Sequence, residues 1–150
     1  MDYTGKTVAI GCDHGGYELK LEIIKHLSER GIAYRDFGCY STESVNYPIY
    51  AHAVCEAIQK GECVCGILCC GTGIGMSMAA NKHDGIRAAV CTDTYSARLT
   101  RLHNDCNCLC LGGRVLGFGL ALDIVDLYLD TDFSGGRHAE RIAMLPKYGK

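Results

Sequence analysis

The sequence predicts an α/β fold: three layers, αβα, around a doubly wound sheet of five parallel strands. Two observations predict it. Short apolar runs alternate with helix-length amphipathic segments along the chain, the pattern of a parallel sheet whose crossovers are helices. One of those runs, CVCGILCC at 63–70, is apolar or glycine at every position, as a strand covered on both faces must be.

Each element can be justified in turn. KTVAIGC (6–12) is the first strand. In GYELKLEIIKHLSERG (16–31), Leu19, Ile23, Ile24 and Leu27 share a helical face and Gly31 supplies the stop. AYRDFG (33–38) is the second strand. The polar loop CYSTESVNYPIYA leads to Pro48, which suits a helix start because the missing N–H is not needed there. AHAVCEAIQKG continues that helix, CVCGILCC is the third strand, and a glycine loop with a short Ala-rich helix follows. IRAAVC (86–91), a helix through YSARLTRLHND, CNCLCLG (106–112) and a long helix near 117–129 complete the set. No linker, repeat or low-complexity stretch divides it, so residues 1–150 read as one domain. For a Rossmann-like sheet of five strands the common order is 2-1-3-4-5, with a ligand crevice at the carboxyl ends of strands one and three.

Composition narrows the function. Apolar residues make up 48% and charged residues 21%, ordinary for a globular chain. A net charge of −2 gives no attraction for nucleic acid. No stretch reaches the ~18 uncharged apolar residues of a membrane span; VLGFGLALDIVDLYL carries Asp123 and Asp126 and reads as an amphipathic helix. MDYTGKTVAIGC runs straight into a strand without signal-peptide architecture, so a cytoplasmic location is expected. The eleven cysteines do not show metal-site spacing. Cys63 and Cys65, and Cys106, Cys108 and Cys110, alternate at period two, so each set is expected to face one side of a strand. Most read as small buried hydrophobes in a reducing compartment.

Cys70 is different because it ends a strand at a glycine loop, CGTGIG. Strand one ends at CDHGG, so Asp13 and His14 face Cys70 across the predicted crevice. Gly71, Gly73 and Gly75 are spaced two apart, which fails the dinucleotide fingerprint, and no Gly-Lys-Ser/Thr follows for a Walker loop. No arginine stands at 75 or 76 for a phosphatase loop. What remains is a thiol beside backbone N–H donors. A thiol at a helix N-terminus is available as thiolate near neutral pH, and the donors would stabilise an oxyanion. That pairing suits proton abstraction alpha to a carbonyl, set against a purely structural turn. Near the end of the chain, Arg137 and Arg141 are four apart with His138 adjacent, able to grip a phosphate bidentately or to lie on a solvated face. His103 and Asn104 end a helix before strand five, and are expected at the carboxyl edge of the sheet or near a partner.

Seven segments in register carry a resemblance: GCDHGGYELK, YPIYA, CGTGIGMSMAANK, GIRAAVCTD, YSARLTRLHNDCN, LGGRVLG and GGRHAERI. Together they resemble the type B ribose-5-phosphate isomerases, a family that also holds galactose-6-phosphate and allose-6-phosphate isomerases. The resemblance implies interconversion of ribose 5-phosphate and ribulose 5-phosphate, a step of the pentose phosphate pathway, through an enediolate. It makes Cys70 the base between C2 and C1, with Thr72 near the reacting hydroxyls. Some members use a Glu in the helix after the loop; Gly75 and Met76 here mark the Cys-type branch. Backbone N–H groups of Gly71, Gly73, Ile74 and Gly75 would hold the enediolate. His103 would open the furanose ring, with Asp13 and His14 assisting. Arg137, Arg141 and His138 would form the phosphate clamp, with Arg114 and Asn104 contributing. In the family His103, Asn104 and Arg114 reach the site from the other subunit, which implies a homodimer with shared sites, a tetramer being left open. The chemistry implies no metal and no organic cofactor. Ile49 departs from the polar residue many members carry.

Three other readings compete. A hexose-6-phosphate isomerase on the same scaffold differs only in substrate. A non-catalytic phosphosugar-binding protein would not require Cys70, Thr72 and His103 together. A thiol redox protein using Cys69 and Cys70 is disfavoured, since neighbours on a strand point to opposite faces.

Overall fold

The computed structural model describes residues 2–148. In chain order the elements are β1 (Thr7–Cys12), α1 (Tyr17–Glu29), β2 (Ala33–Asp36), α2 (Tyr47–Gln59), β3 (Cys65–Cys70) and α3 (Ile74–Ala80). They continue with β4 (Ala88–Val90), α4 (Thr94–Asn104), β5 (Cys108–Gly112), α5 (Phe118–Asp130), α6 (Arg137–Ile142) and α7 (Leu145–Tyr148). All strand pairs are parallel, in the order β2-β1-β3-β5-β4. The three-layer class and the switch point between β1 and β3 are as expected, but the last two strands are exchanged relative to 2-1-3-4-5. Burial explains the exchange. β5, CLCLG, is buried at all five positions and needs a strand on each side, whereas the three-residue β4 is half-buried throughout and suits an edge.

Helices α1, α4 and α5 cover one face of the sheet, where Leu19, Ile23, Ala97, Ile124 and Leu129 pack on Ile10, Ile67 and Leu109. Helices α2 and α3 cover the other, where Val54, Cys55, Met76 and Ala80 pack on Ala9, Leu68 and Cys110. Among the described residues no helix is long and apolar enough to cross a membrane. All eleven cysteines are free and buried. Two of them break the expected alternation. Cys63 and Cys106 lie just outside β3 and β5, so the period of two does not reach them. Cys63 faces the α2/α3 layer while Cys65 faces the opposite one, and Cys106 is likewise opposed to Cys108 and Cys110.

Charged groups fix the flanks. Lys20, fully buried, donates to both carboxylate oxygens of Asp36 at 2.8 Å and to the Cys39 carbonyl at 2.6 Å. A buried ammonium is tolerable only with this degree of pairing; it anchors the loop after β2 to α1. Arg30 joins α1 to α5 through Asp126 at 2.5 Å and Asp130 at 2.7 Å.

The loop after β1 is seated on β3 so closely that a Cβ at Gly16 would lie 2.3 Å from the Cys69 carbonyl carbon. The obstacle is backbone and cannot rotate away. Gly16→Ala is therefore expected to cost more than the roughly 1–3 kcal/mol of ordinary overpacking. Equilibrium urea unfolding reads this as a lowered midpoint; an unchanged midpoint would show that the loop gives way.

Candidate active site

The carboxyl ends of β1, β3 and β5 converge. Cys12 is in register with Cys69, and Cys70 with Gly112, so the loops that follow start level. The Gly113 N–H donates to the Cys70 carbonyl at 2.8 Å and the Arg114 N–H to the Gly71 carbonyl at 3.0 Å, stitching the β5 loop to the glycine loop.

Asp13 is the carboxylate of this edge. Its own N–H donates to the Cys69 carbonyl at 3.1 Å, and its Oδ1 accepts from the N–H groups of Gly15 at 2.8 Å and Gly16 at 3.2 Å. The group is almost buried and cannot swing. His14 accepts the Val45 N–H on Nδ1 at 3.2 Å, so in the neutral ring Nε2 carries the proton.

Cys70 is 5% exposed and its sulfur accepts the Gly73 N–H at 3.0 Å. The donor is aimed by backbone geometry: Gly73 has φ of +80°, and a Cβ there would press on the carbonyl carbon of Leu111 at 3.1 Å. Only glycine satisfies both conditions. Thr72 is exposed, and its Oγ1 accepts the Ile74 N–H at 3.3 Å. Cys69 faces the other layer, and burial pushes its thiol well above the ordinary range.

Two further residues belong to this edge. The Arg114 side chain lies along Gly71 of its own chain, with Nη1 3.7 Å from where a Gly71 Cβ would stand. The expectation that Arg114 travels with His103 and Asn104 is therefore corrected: the short β5 loop keeps it beside its own glycine loop. Tyr47, which the sequence does not single out, lays its ring against Gly75; a Cβ there would be 3.0 Å from the ring. Tyr47 fills the space a longer side chain at 75 would occupy, so its only signal is the absence of a side chain opposite. Ile49 is exposed on α2.

His103 and Asn104 are elsewhere. A crossover helix runs antiparallel to the strands, so the end of α4 arrives at the amino edge of the sheet, just before β5 begins. At ~3.3 Å per residue, the length of β5 puts about 15 Å between that edge and the glycine loop. The expectation of a carboxyl-edge His103 fails for this reason. The His103 ring stacks on His138, with centroids 4.2 Å apart and planes inclined by 11°. His103, Asn104, His138 and Arg141 line a depression of about 250 Å³, and the Ser134 N–H bonded to the Leu102 carbonyl at 3.0 Å holds this segment against α4. Arg137 opens α6 in the same region. Desolvation, then the neighbouring His103, Arg137 and Arg141, hold the His138 imidazole below the usual histidine range. The sequence-predicted residues thus form two groups at opposite edges: Asp13, His14, Cys70 to Gly75 and Arg114 at one, and His103, Asn104, Arg137, His138 and Arg141 at the other. Among the described residues no three His, Cys, Asp or Glu side chains are grouped to hold a metal ion.

Comparison with known proteins bears on this arrangement. The ribose/galactose isomerase family model matches residues 8–145. The chain is 53% identical over 137 residues to ribose-5-phosphate isomerase B of Escherichia coli, covering 91% of this chain and 92% of that one. It is 41% identical over 143 residues to a D-erythrulose-4-phosphate isomerase of Pectobacterium atrosepticum, covering 95% and 94%. The solved structure of ribose-5-phosphate isomerase B from Clostridium thermocellum superposes with a TM-score of 0.93 at 55% identity, covering 94% of this chain and 95% of that one. With a matching sheet, a cysteine-headed glycine loop at its switch point and likeness over nearly the full length, the chain belongs to the ribose/galactose isomerase family.

Proposed function

We propose that the chain interconverts ribose 5-phosphate and ribulose 5-phosphate, with Cys70 as the base, in a site assembled from two copies. The observation that carries the reading is the Cys70 sulfur, held 3.0 Å from the Gly73 N–H at the switch point beside a fixed Asp13. The Cys70 thiolate takes the proton from C2 of the open-chain aldose. The charge moves to the C1 oxygen, where N–H groups of the glycine loop and the Thr72 hydroxyl receive it. The C2 hydroxyl proton then passes to the C1 oxygen, leaving the negative charge on the C2 oxygen, and the thiol returns its proton to C1 as the C2 carbonyl of the ketose forms. The name of the Escherichia coli relative supports this substrate; that of the Pectobacterium atrosepticum relative makes a four-carbon ketose phosphate the second reading.

The two-edge distribution supports the shared site. A ring-opening acid and a phosphate clamp about 15 Å from their own Cys70 serve no single-chain substrate of five carbons. In an isologous dimer contacts are reciprocal, so an amino edge set against the partner's carboxyl edge completes two sites at once. Exposed Ile74, Met78, Val115 and Phe118 near the glycine loop, and Met144 and Leu145 beside the clamp, offer apolar surface for that contact.

The test is NMR of the purified protein with ribose 5-phosphate in deuterium oxide, beside allose 6-phosphate and D-erythrulose 4-phosphate. Ribulose 5-phosphate should form fastest, with deuterium entering at the transferred position. Faster turnover of either other sugar reassigns the substrate, and no turnover of any rejects the activity.

The clamp gives a separate prediction. Arg137→Ala and Arg141→Ala are each expected to raise KM and lower kcat/KM about 10- to 150-fold, the scale of a charge-assisted hydrogen bond worth about 1.5–3 kcal/mol. Steady-state kinetics should show a much smaller loss with a sugar lacking phosphate. Equal losses on both substrates would place the clamp elsewhere.

A further inference from the structure

Outside the site, two thiols lie side by side under the loop that follows β2. The sulfur atoms of Cys12 and Cys39 are 3.7 Å apart. Their backbones are already joined: the Cys39 N–H donates to the Cys12 carbonyl at 2.7 Å, and the Cys12 N–H to the Gly38 carbonyl at 2.5 Å. Neighbouring strands lie about 4.8 Å apart, within the Cα separations a disulfide spans. Bonding at about 2.05 Å needs only side-chain rotation and a small settling of the loop. Cys55, Cys108 and Cys110 also approach one another, but from the interiors of a helix and a strand that cannot settle in this way.

We propose that Cys12 and Cys39 are a dithiol that hydrogen peroxide closes to a disulfide, pinning the loop over the active-site edge. The two thiols are not equivalent. Cys12 is inaccessible, and burial pushes its thiol up, with the Lys20 ammonium drawing it part of the way back. Cys39 retains 3% exposure on a loop, with its thiol turned toward the Ser41 carbonyl at 3.3 Å. Cys39 is therefore oxidised first. Its sulfur attacks one peroxide oxygen, the O–O bond breaks, and water leaves a sulfenic acid on Cys39. The Cys12 sulfur then attacks the Cys39 sulfur; the S–O bond breaks, and the hydroxide departs with the Cys12 proton as a second water. Two thiols lose two electrons and one peroxide gains them.

The bond would tie two parts of the active-site edge. Cys12 precedes Asp13, and Cys39 begins the segment whose Val45 N–H holds His14. Lys20, on the Cys39 carbonyl, already fixes the near end of that segment, so closure reinforces an existing anchor.

The experiment treats reduced native protein with equimolar hydrogen peroxide, quenches it, and labels free thiols with N-ethylmaleimide in denaturant. Nine labels are expected, the eleven cysteines less Cys12 and Cys39, with a loss of about 2 Da before labelling that dithiothreitol reverses. A non-reducing digest should yield the Cys12–Cys39 crosslinked peptide. Cys39→Ser and Cys12→Ser should each keep all ten remaining thiols; should either fail to fold, the wild-type digest decides. Eleven labels, oxidation confined to Cys70, a bond between another pair, or a bond formed only in denaturant would each overturn the proposal.

Discussion

Cys70→Ala is expected to lose nearly all turnover while Cys69→Ala keeps most of it. The two side chains are identical and adjacent in the chain, yet they face opposite layers of the sheet. Only Cys70 has a donor on sulfur and an opening to the site. A positioned general base contributes on the order of 10²–10⁴ in rate, which sets the size of the loss. Substitution of Cys69 removes a buried sulfur and leaves a small void, a stability effect rather than a kinetic one. Steady-state rates with ribose 5-phosphate, measured beside thermal unfolding, separate the two. Alkylation of wild-type Cys70 should also slow when substrate is present. Comparable kinetic losses in both variants would remove Cys70 from the role of base.

The second large effect appears when two inactive variants are mixed. Cys70→Ala and His103→Ala, each nearly inactive on ring-closed substrate, should partly rescue one another after co-refolding. In a mixed dimer one site receives both lesions and the other neither. With random exchange about half the dimers are mixed, so roughly a quarter of wild-type activity should return, by the symmetry of an isologous pair. If each site were built within one chain, every site would carry a lesion and nothing would return. Subunit exchange is checked by mass. Recovery no greater than the sum of the separate variants would sink the shared site.

Much of this was legible in the chain, and the remainder was illegible for definite reasons. β1, β3 and β5 were readable because buried parallel strands are apolar throughout, and α1 because Leu19, Ile23 and Leu27 repeat on one face with Gly31 as the stop at φ of +67°. The exchange of β4 and β5 was not, because pairing between strands far apart in sequence leaves no local trace; only the poverty of β4, AAV, points to an edge. Asp13, Cys70 and the glycine loop were placed correctly because the switch point depends on β1 and β3 alone. The edge at which His103 lies was available from the crossover rule, since a helix leading into β5 ends where β5 begins. Tyr47 and the Lys20–Asp36 pair were hidden, because each depends on what another element presents across a loop.

The position of β5 between β3 and β4 has a consequence for biosynthesis. β4 leaves the ribosome before β5, the strand it pairs with, and β3 is complete long before its second neighbour exists. The glycine loop around Cys70 has been translated by then, but the backbone that braces it, Gly112 against Thr72 and Gly113 on the Cys70 carbonyl, comes some forty residues later, about two to eight seconds at 5–20 residues per second. Throughout that interval the nascent chain displays an unbraced thiol and an open sheet edge. A ribosome-arrested chain ending before residue 108 should therefore alkylate at Cys70 without the protection by substrate that is expected of the finished protein.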